Sequence, residues 1–162
     1  MKIAGIMKKM IDFSSGDIHD IDQLIRVWTY ARTIAELEGL DTETQYILEV
    51  AAITHDIACP LCREKYGDTN GKRQEAEGAL MVRDFLRDTG MTEEQIDRVA
   101  FLVGHHHTFT DVHDKDYQIL LEADYIANAS ENGYERRNVE NFLHNIMWTE
   151  SGKALVKAVF RV

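Results

Sequence analysis

Proline is nearly absent: Pro60 stands alone in 162 residues, so almost no position is barred from a helix interior by a missing N–H. Cysteine is scarce as well. Cys59 and Cys62 form the only Cys-x-x-Cys spacing, with no second pair for a four-ligand zinc site and no disulfide framework within reach. They are read as two reduced thiols. No apolar run approaches the roughly 20 residues that a membrane span needs. The first residues, MKIAGIMKKMIDF, have neither a long apolar stretch nor a small-residue cleavage site, so no signal peptide is read. The expectation is a soluble domain in the cytoplasm, with no membrane partner. Positive charge is also short, since 18 Lys and Arg face 28 Asp and Glu for a net charge of −10. That balance argues against an extended nucleic-acid surface, although a local basic patch can still hold a phosphate.

What the chain does have is repeated 3.6-residue periodicity with few alternating β-branched runs, which points to an all-α fold. Helices are expected near 3–13, 19–38, 42–58, 74–89, 92–107, 114–130, 137–148 and 151–160. Thr42-x-x-Gln45 and Thr92-x-x-Gln95 have the capping-box form, and Gly39, Gly90 and Gly133 fall where helices should stop. The longest stretch read as irregular is 59–73. No repeat or Pro/Gly-rich linker divides the chain, so one domain, 1–162, is expected. At 44% hydrophobic residues it can fill a core, because a domain of about this size buries roughly 70% of its unfolded surface.

Polar residues inside that core carry the functional signal. Three His-Asp pairs occur, His19-Asp20, His55-Asp56 and His113-Asp114, and only His55-Asp56 lies in an apolar run, YILEVAAITHDIA. A buried carboxylate has to be paired, hydrogen-bonded or bound to a metal. A core histidine with an aspartate bonded to a neighbouring helix is the alternative reading. A second carboxylate shifts the balance. In YQILLEADYIANA the apolar stripe Tyr117, Leu120, Leu121 continues into Asp124 at i+3 and i+4, so Asp124 also points inward. Two inward carboxylates and an imidazole repel or stay unpaired without a cation among them. One divalent ion resolves this, and N and O ligands suit Mn, Fe, Co, Ni, Zn or Mg.

With HDIA in a buried helix, GHHHT after a later helix and LLEADYIANA in the next, the chain resembles the HD-domain metal-dependent phosphohydrolases, from about Asp17 to Phe160. The resemblance implies a single-domain HD-type helical bundle, with His55, Asp56 and Asp124 as metal ligands and Asp56 acting beside the metal in hydrolysis of a phosphate ester. It also implies an early helical His three residues before a basic-Val pair. Here that pair is Arg26-Val27 and the position holds Gln23, whose amide oxygen is a neutral and weaker ligand. His19, one turn earlier on the same face, is the competing candidate. In binuclear relatives of the HD-GYP type a His pair at the place of GHHHT helps bind a second metal, together with a His where this chain has Gln74. A full second site is therefore not expected.

Ile96, Val99, Val103 and His106 follow a 3, 4, 3 spacing, which turns His106 to the core with His105 beside it and leaves His107 at the periphery. His105 and His106 are expected to contact phosphate or support the ligands. Arg63, Lys65, Lys72 and Arg73 place four cations and only two acids in an eleven-residue stretch. Lys65, with Arg73, is expected to cover an anionic substrate. The expected partner is a nucleotide or small phosphorylated metabolite, and a homodimer stays open. The opposing expectation is an HD module that binds a nucleotide, metal or protein without turnover.

Overall fold

The computed structural model describes residues 1–162 and contains no strand. Its helices are α1 (Ile3–Ser14), α2 (Ile18–Glu38), α3 (Thr42–Thr54), α4 (Cys59–Tyr66), α5 (Gly71–Leu86), α6 (Glu93–Val103), α7 (Lys115–Asn132), α8 (Arg136–Asn145) and α9 (Glu150–Phe160). Their starts follow from capping chemistry. Asp17, Asp41, Asn70, Thr92 and Thr149 each accept a backbone N–H of the first turn with a side-chain oxygen. Thr92 and Gln95 form the expected capping box. The second expected box does not form: Asp41, not Thr42, caps α3, because its longer reach takes the Thr44 N–H at 2.9 Å, and Gln45 turns to Glu49 instead.

Two expected boundaries are corrected. The helix expected over 42–58 ends at Thr54, and the supposed irregular stretch holds α4. Pro60 keeps the two helices from joining. In a continuous helix the Asp56 carbonyl would accept from the N–H of residue 60, which proline lacks; it accepts from the Cys59 N–H instead, at 2.9 Å, and a tight turn separates α3 from α4. The helix expected over 92–107 stops at Val103. Beyond it the chain closes short-range turns, His105 N–H to Leu102 O at 3.2 Å and Thr108 N–H to His105 O at 2.8 Å, so residues 104–107 leave the helical phase.

Helix α3 lies at the centre. Every residue from Leu48 to Thr54 is buried, and it packs against α1, α2, α6 and α7. A helix apolar on all sides needs neighbours all round. Its one carboxylate among those residues, Glu49, accepts from the Trp28 indole at 2.8 Å and from Gln45 at 3.1 Å. Helices α2 and α7 lie against each other, α5 covers α6, and α9 closes the bundle against α2, α7 and α8.

A buried carboxylate on α7 fixes that closure. Glu122 is fully buried and accepts from Gln118 Nε2 at 2.7 Å, the Trp148 and Thr149 N–H groups at 3.1 and 3.2 Å, and Thr149 Oγ1 at 2.5 Å. Gly152 sits over it, since a Cβ there would lie 1.9 Å from Glu122 Oε1. A Glu122→Gln variant turns an amide N–H₂ toward these donors and leaves at least one buried group unpaired. It is expected to lose about 1 to 3 kcal/mol of unfolding free energy in urea melts while keeping divalent-metal affinity unchanged.

Candidate metal centre

Four segments deliver polar atoms to one place. His55 closes α3, Asp56 follows in the turn before Pro60, His106 comes from the turns after α6, and Asp124 comes from the middle of α7. His55 Nε2 lies 3.2 Å from Asp56 Oδ2 and 3.3 Å from Asp124 Oδ1, and His106 Nε2 lies 3.4 Å from Asp56 Oδ1. The two imidazoles meet edge to face at 5.3 Å. Each presents Nδ1 to a backbone carbonyl, Ala52 O for His55 and Val103 O for His106, both at 2.6 Å. The carbonyl can only accept, so Nδ1 carries a proton and Nε2 is the atom each ring turns toward the carboxylates.

Gln23 comes to the same place from α2. Its Nε2 donates to Asn128 Oδ1 at 2.9 Å, and Asn128 Nδ2 donates to Asp124 Oδ1 at 3.0 Å, so the chain of amides leaves Gln23 Oε1 free. Three buried side-chain atoms have no hydrogen-bond partner: Gln23 Oε1, His55 Nε2 and His106 Nε2. Gln23 Oε1 is an acceptor, and each Nε2 is one whenever its ring carries a single proton. Protonating His55 would satisfy one of them, whereas a cation suits all three together with the two carboxylates. The donor set of imidazole nitrogens and carboxylate and amide oxygens therefore fits a divalent metal ion.

The carboxylates act on His55 as expected of close charges. Burial alone would push its pKa down, but Asp56 and Asp124 raise it well above its ordinary value. Burial pushes Asp56 up, and the two facing histidines hold it well below the usual carboxylate range.

Asp56 and Asp124 line a cavity of about 310 Å³ together with Gln23, Asn128, His107, Gln74, Thr69, Cys59, Arg63, His19, Asp20 and Glu131. A family model for the HD domain matches residues 21–129, more than half of the chain. The chain belongs to the HD domain family. Its fold is similar to a crystal structure of a predicted HD superfamily hydrolase from an uncultured Thermotogales bacterium, with 22% identity and a TM-score of 0.70 over 98% of this chain and 84% of that one. None of the curated proteins compared with the chain matches it.

Within this HD domain the residues expected at the site divide into two groups. Gln23, His55, Asp56, His106 and Asp124 come together. Lys65, Arg73 and His105 are not among the residues lining the cavity. Lys65 pairs with Glu77 at 3.0 Å, Arg73 lies over the Tyr66 ring and reaches Asp68, and His105 stacks on Phe101 at 4.1 Å. Placing Lys65 over the site assumed an irregular loop; on α4 its direction is fixed by the helix. His19 also lines the cavity, but its side chain is 70% exposed and meets Glu131 at 2.8 Å.

His107, expected at the periphery, lines the cavity, and a ligand atom of its ring lies within 4.8 Å of those of Asp56 and His106. The end of α6 at Val103 shifts its phase inward. Its Nε2–H donates to Gln74 Oε1 at 2.9 Å, because Gln74 Nε2 is committed to Thr69 O at 2.5 Å. Burial and the neighbouring His106 push the His107 pKa down to about 4, so this ring is neutral at pH 7. Glu75 fixes the turn by accepting from the His107 N–H at 3.1 Å and Thr108 Oγ1 at 2.7 Å. Asn128, at i+4 from Asp124, escaped the sequence reading although that spacing places it on the same face.

The raised His55 pKa sets a pH dependence. In the metal-free chain its stabilising contribution is complete below about 6.5, the unfolded value, and is lost as pH rises through the higher folded value. A metal ion needs the unprotonated nitrogen, so its binding strengthens over the same range. The melting temperature of the metal-free protein should fall as pH rises above 6.5, while the increment produced by Mn should grow. Thermal melts with and without Mn from pH 6 to 9 check both signs, and a pH-independent increment would remove His55 from the ligands.

Proposed function

We propose that this HD domain is a metal-dependent phosphohydrolase acting on a nucleotide or small phosphorylated metabolite. The observation that carries the reading is the convergence of three unpartnered acceptors, Gln23 Oε1, His55 Nε2 and His106 Nε2, on a site with two carboxylates. His55, Asp56 and Asp124 would hold one divalent ion, with the amide oxygen of Gln23 beside them. The ion supplies Lewis acidity toward a phosphate ester and lowers the pKa of water at the site. The chain's own residues provide the rest. Ala52 O and Val103 O fix the two imidazole tautomers, and Asn128 aims Asp124 and Gln23 at once. His106 Nε2, 3.4 Å from Asp56 Oδ1, is placed to take up a proton beside that carboxylate. A cavity of about 310 Å³ suits a small substrate.

One feature favours a second reading, a module that binds without turnover: Gln23 brings a neutral oxygen where an imidazole would be the stronger ligand. Elemental analysis of the purified protein, with phosphate-release assays over nucleotides and sugar phosphates, decides between the two. Hydrolysis that disappears in Asp56→Asn establishes the first. Bound metal without release of phosphate from any ester establishes the second.

Three substitutions test the ligand assignment. Gln23→His supplies an imidazole and should raise affinity for Mn or Co, with any hydrolysis rising in step. Unchanged affinity there, combined with loss in His19→Ala, would transfer the ligand role to His19. Asn128→Ala removes the group that orients both Asp124 and Gln23, and should weaken metal binding about 10- to 100-fold, the range for hydrogen-bonding supports of metal ligands. Calorimetric titration of the parent and the three variants reads all of these.

A further inference from the structure

The cavity wall is short of positive charge. It carries four carboxylates, Asp20, Asp56, Asp124 and Glu131, and a single Lys or Arg, namely Arg63. Of the four cations in the stretch after Pro60, Arg63 is the one the fold turns to this cavity. Helix α4 explains the selection. Cys59 and Arg63 are one turn apart on the same face and both line the cavity, while Cys62 is buried in the bundle. Lys65, two residues beyond Arg63, points about 200° away around the helix axis and meets Glu77.

The partner of Arg63 is itself on the wall. Its two terminal nitrogens meet the two oxygens of Asp20 at 2.5 and 3.4 Å, with Asp17 Oδ2 further off at 3.7 Å. The guanidinium fork is therefore already engaged by a planar pair of anionic oxygens, the arrangement it also makes with phosphate. The Arg63 side chain is 42% exposed, and an ion pair this open to water holds weakly enough to exchange.

We propose that Arg63 is the phosphate-binding residue of the cavity and that Asp20 occupies its guanidinium until a phosphate arrives. This rests on the phosphohydrolase reading and replaces Lys65 in it. A phosphate entering among four carboxylates is repelled, and Arg63 is the wall's own means of offsetting that repulsion. Asp20 then has two effects on phosphate. It competes for the fork and adds negative charge beside it, so its removal should strengthen binding.

The opposite signs of two substitutions make the test. In the full chain loaded with Mn, inorganic phosphate is titrated by calorimetry and KM is measured for p-nitrophenyl phosphate. Arg63→Gln should weaken phosphate at least tenfold. Arg63→Lys, which keeps the charge but not the fork, should fall between it and the parent. Asp20→Asn should tighten phosphate threefold or more, and metal content should be unchanged in all three. An Arg63–Asp20 pair that only clips α4 to α2 predicts shifts of one sign for Arg63→Gln and Asp20→Asn, or none, and either result overturns the assignment. So does a parent that binds no phosphate. If the parent hydrolyses the ester while Arg63→Gln keeps its KM and phosphate affinity, the assignment falls and the phosphohydrolase reading stands. If no ester is hydrolysed but phosphate affinity splits with opposite signs, Arg63 stands as a phosphate site and the hydrolase reading falls.

Discussion

Acceptors outnumber donors at the place where α2, α7, the turn after α3 and the turn after α6 meet, and the rest of the site is organised around that imbalance. His55 Nε2, His106 Nε2 and Gln23 Oε1 have no donor, and Asp56 and Asp124 add two charged acceptors among them. Such a cluster is costly inside a bundle unless a cation or proton joins it. The surrounding hydrogen bonds keep the cost from being relieved internally. Ala52 O and Val103 O hold the imidazole protons on Nδ1, and Asn128 takes the amide N–H of Gln23, so no side chain can turn round to donate. A positive charge is the one partner that suits every atom.

How much of this was legible in the sequence depended on whether a residue's direction is set by its own helix. Asp124 was readable because Tyr117, Leu120 and Leu121 define the stripe it interrupts, and α7 runs unbroken from Lys115 to Asn132. The apolar run marked His55 and Asp56 as inward, but Asp124 was needed to favour a metal over a core histidine with an aspartate bonded to a neighbouring helix. Gln23 required the resemblance, since a glutamine on an amphipathic helix carries no signal of its own; its burial and its unpartnered oxygen are tertiary facts. Lys65, Arg73 and His107 were misplaced for a different reason. Their directions depend on where α4 begins and where α6 ends, and a helix boundary displaced by a few residues rotates a side chain by 100° for each one. Arg63 was visible as a charge but not as a direction.

Charge also separates the two levels of the molecule. The chain as a whole carries a net −10, and the other basic side chains of the stretch after Pro60 are paired with carboxylates. Lys65 faces Glu77, Lys72 faces Glu75, and Arg73 faces Asp68. An anionic ligand is therefore not drawn in by a broad positive field. It would meet a local one, made by a cation among His55, Asp56 and Asp124 and by the guanidinium of Arg63. That arrangement favours a compact group such as a single phosphate over an extended polyanion, which would lay further charges against Asp20, Asp56, Asp124 and Glu131.

The position of the lone proline ties these features together. Without an N–H at residue 60, the Asp56 carbonyl cannot continue the ladder of α3, and the chain must turn there before a new helix can start. The turn has two consequences. It exposes Asp56 to the cavity while His55 stays buried behind it, so the pair spans the boundary between core and solvent. It also restarts the helix in a new direction, with Pro60 near its beginning, where a missing N–H leaves no bond unmade. That direction carries Cys59 and Arg63 to the cavity wall and Lys65 away from it. The same backbone constraint thus sets both the carboxylate that the proposed site offers to a metal ion and the cation that faces Asp20 across the wall.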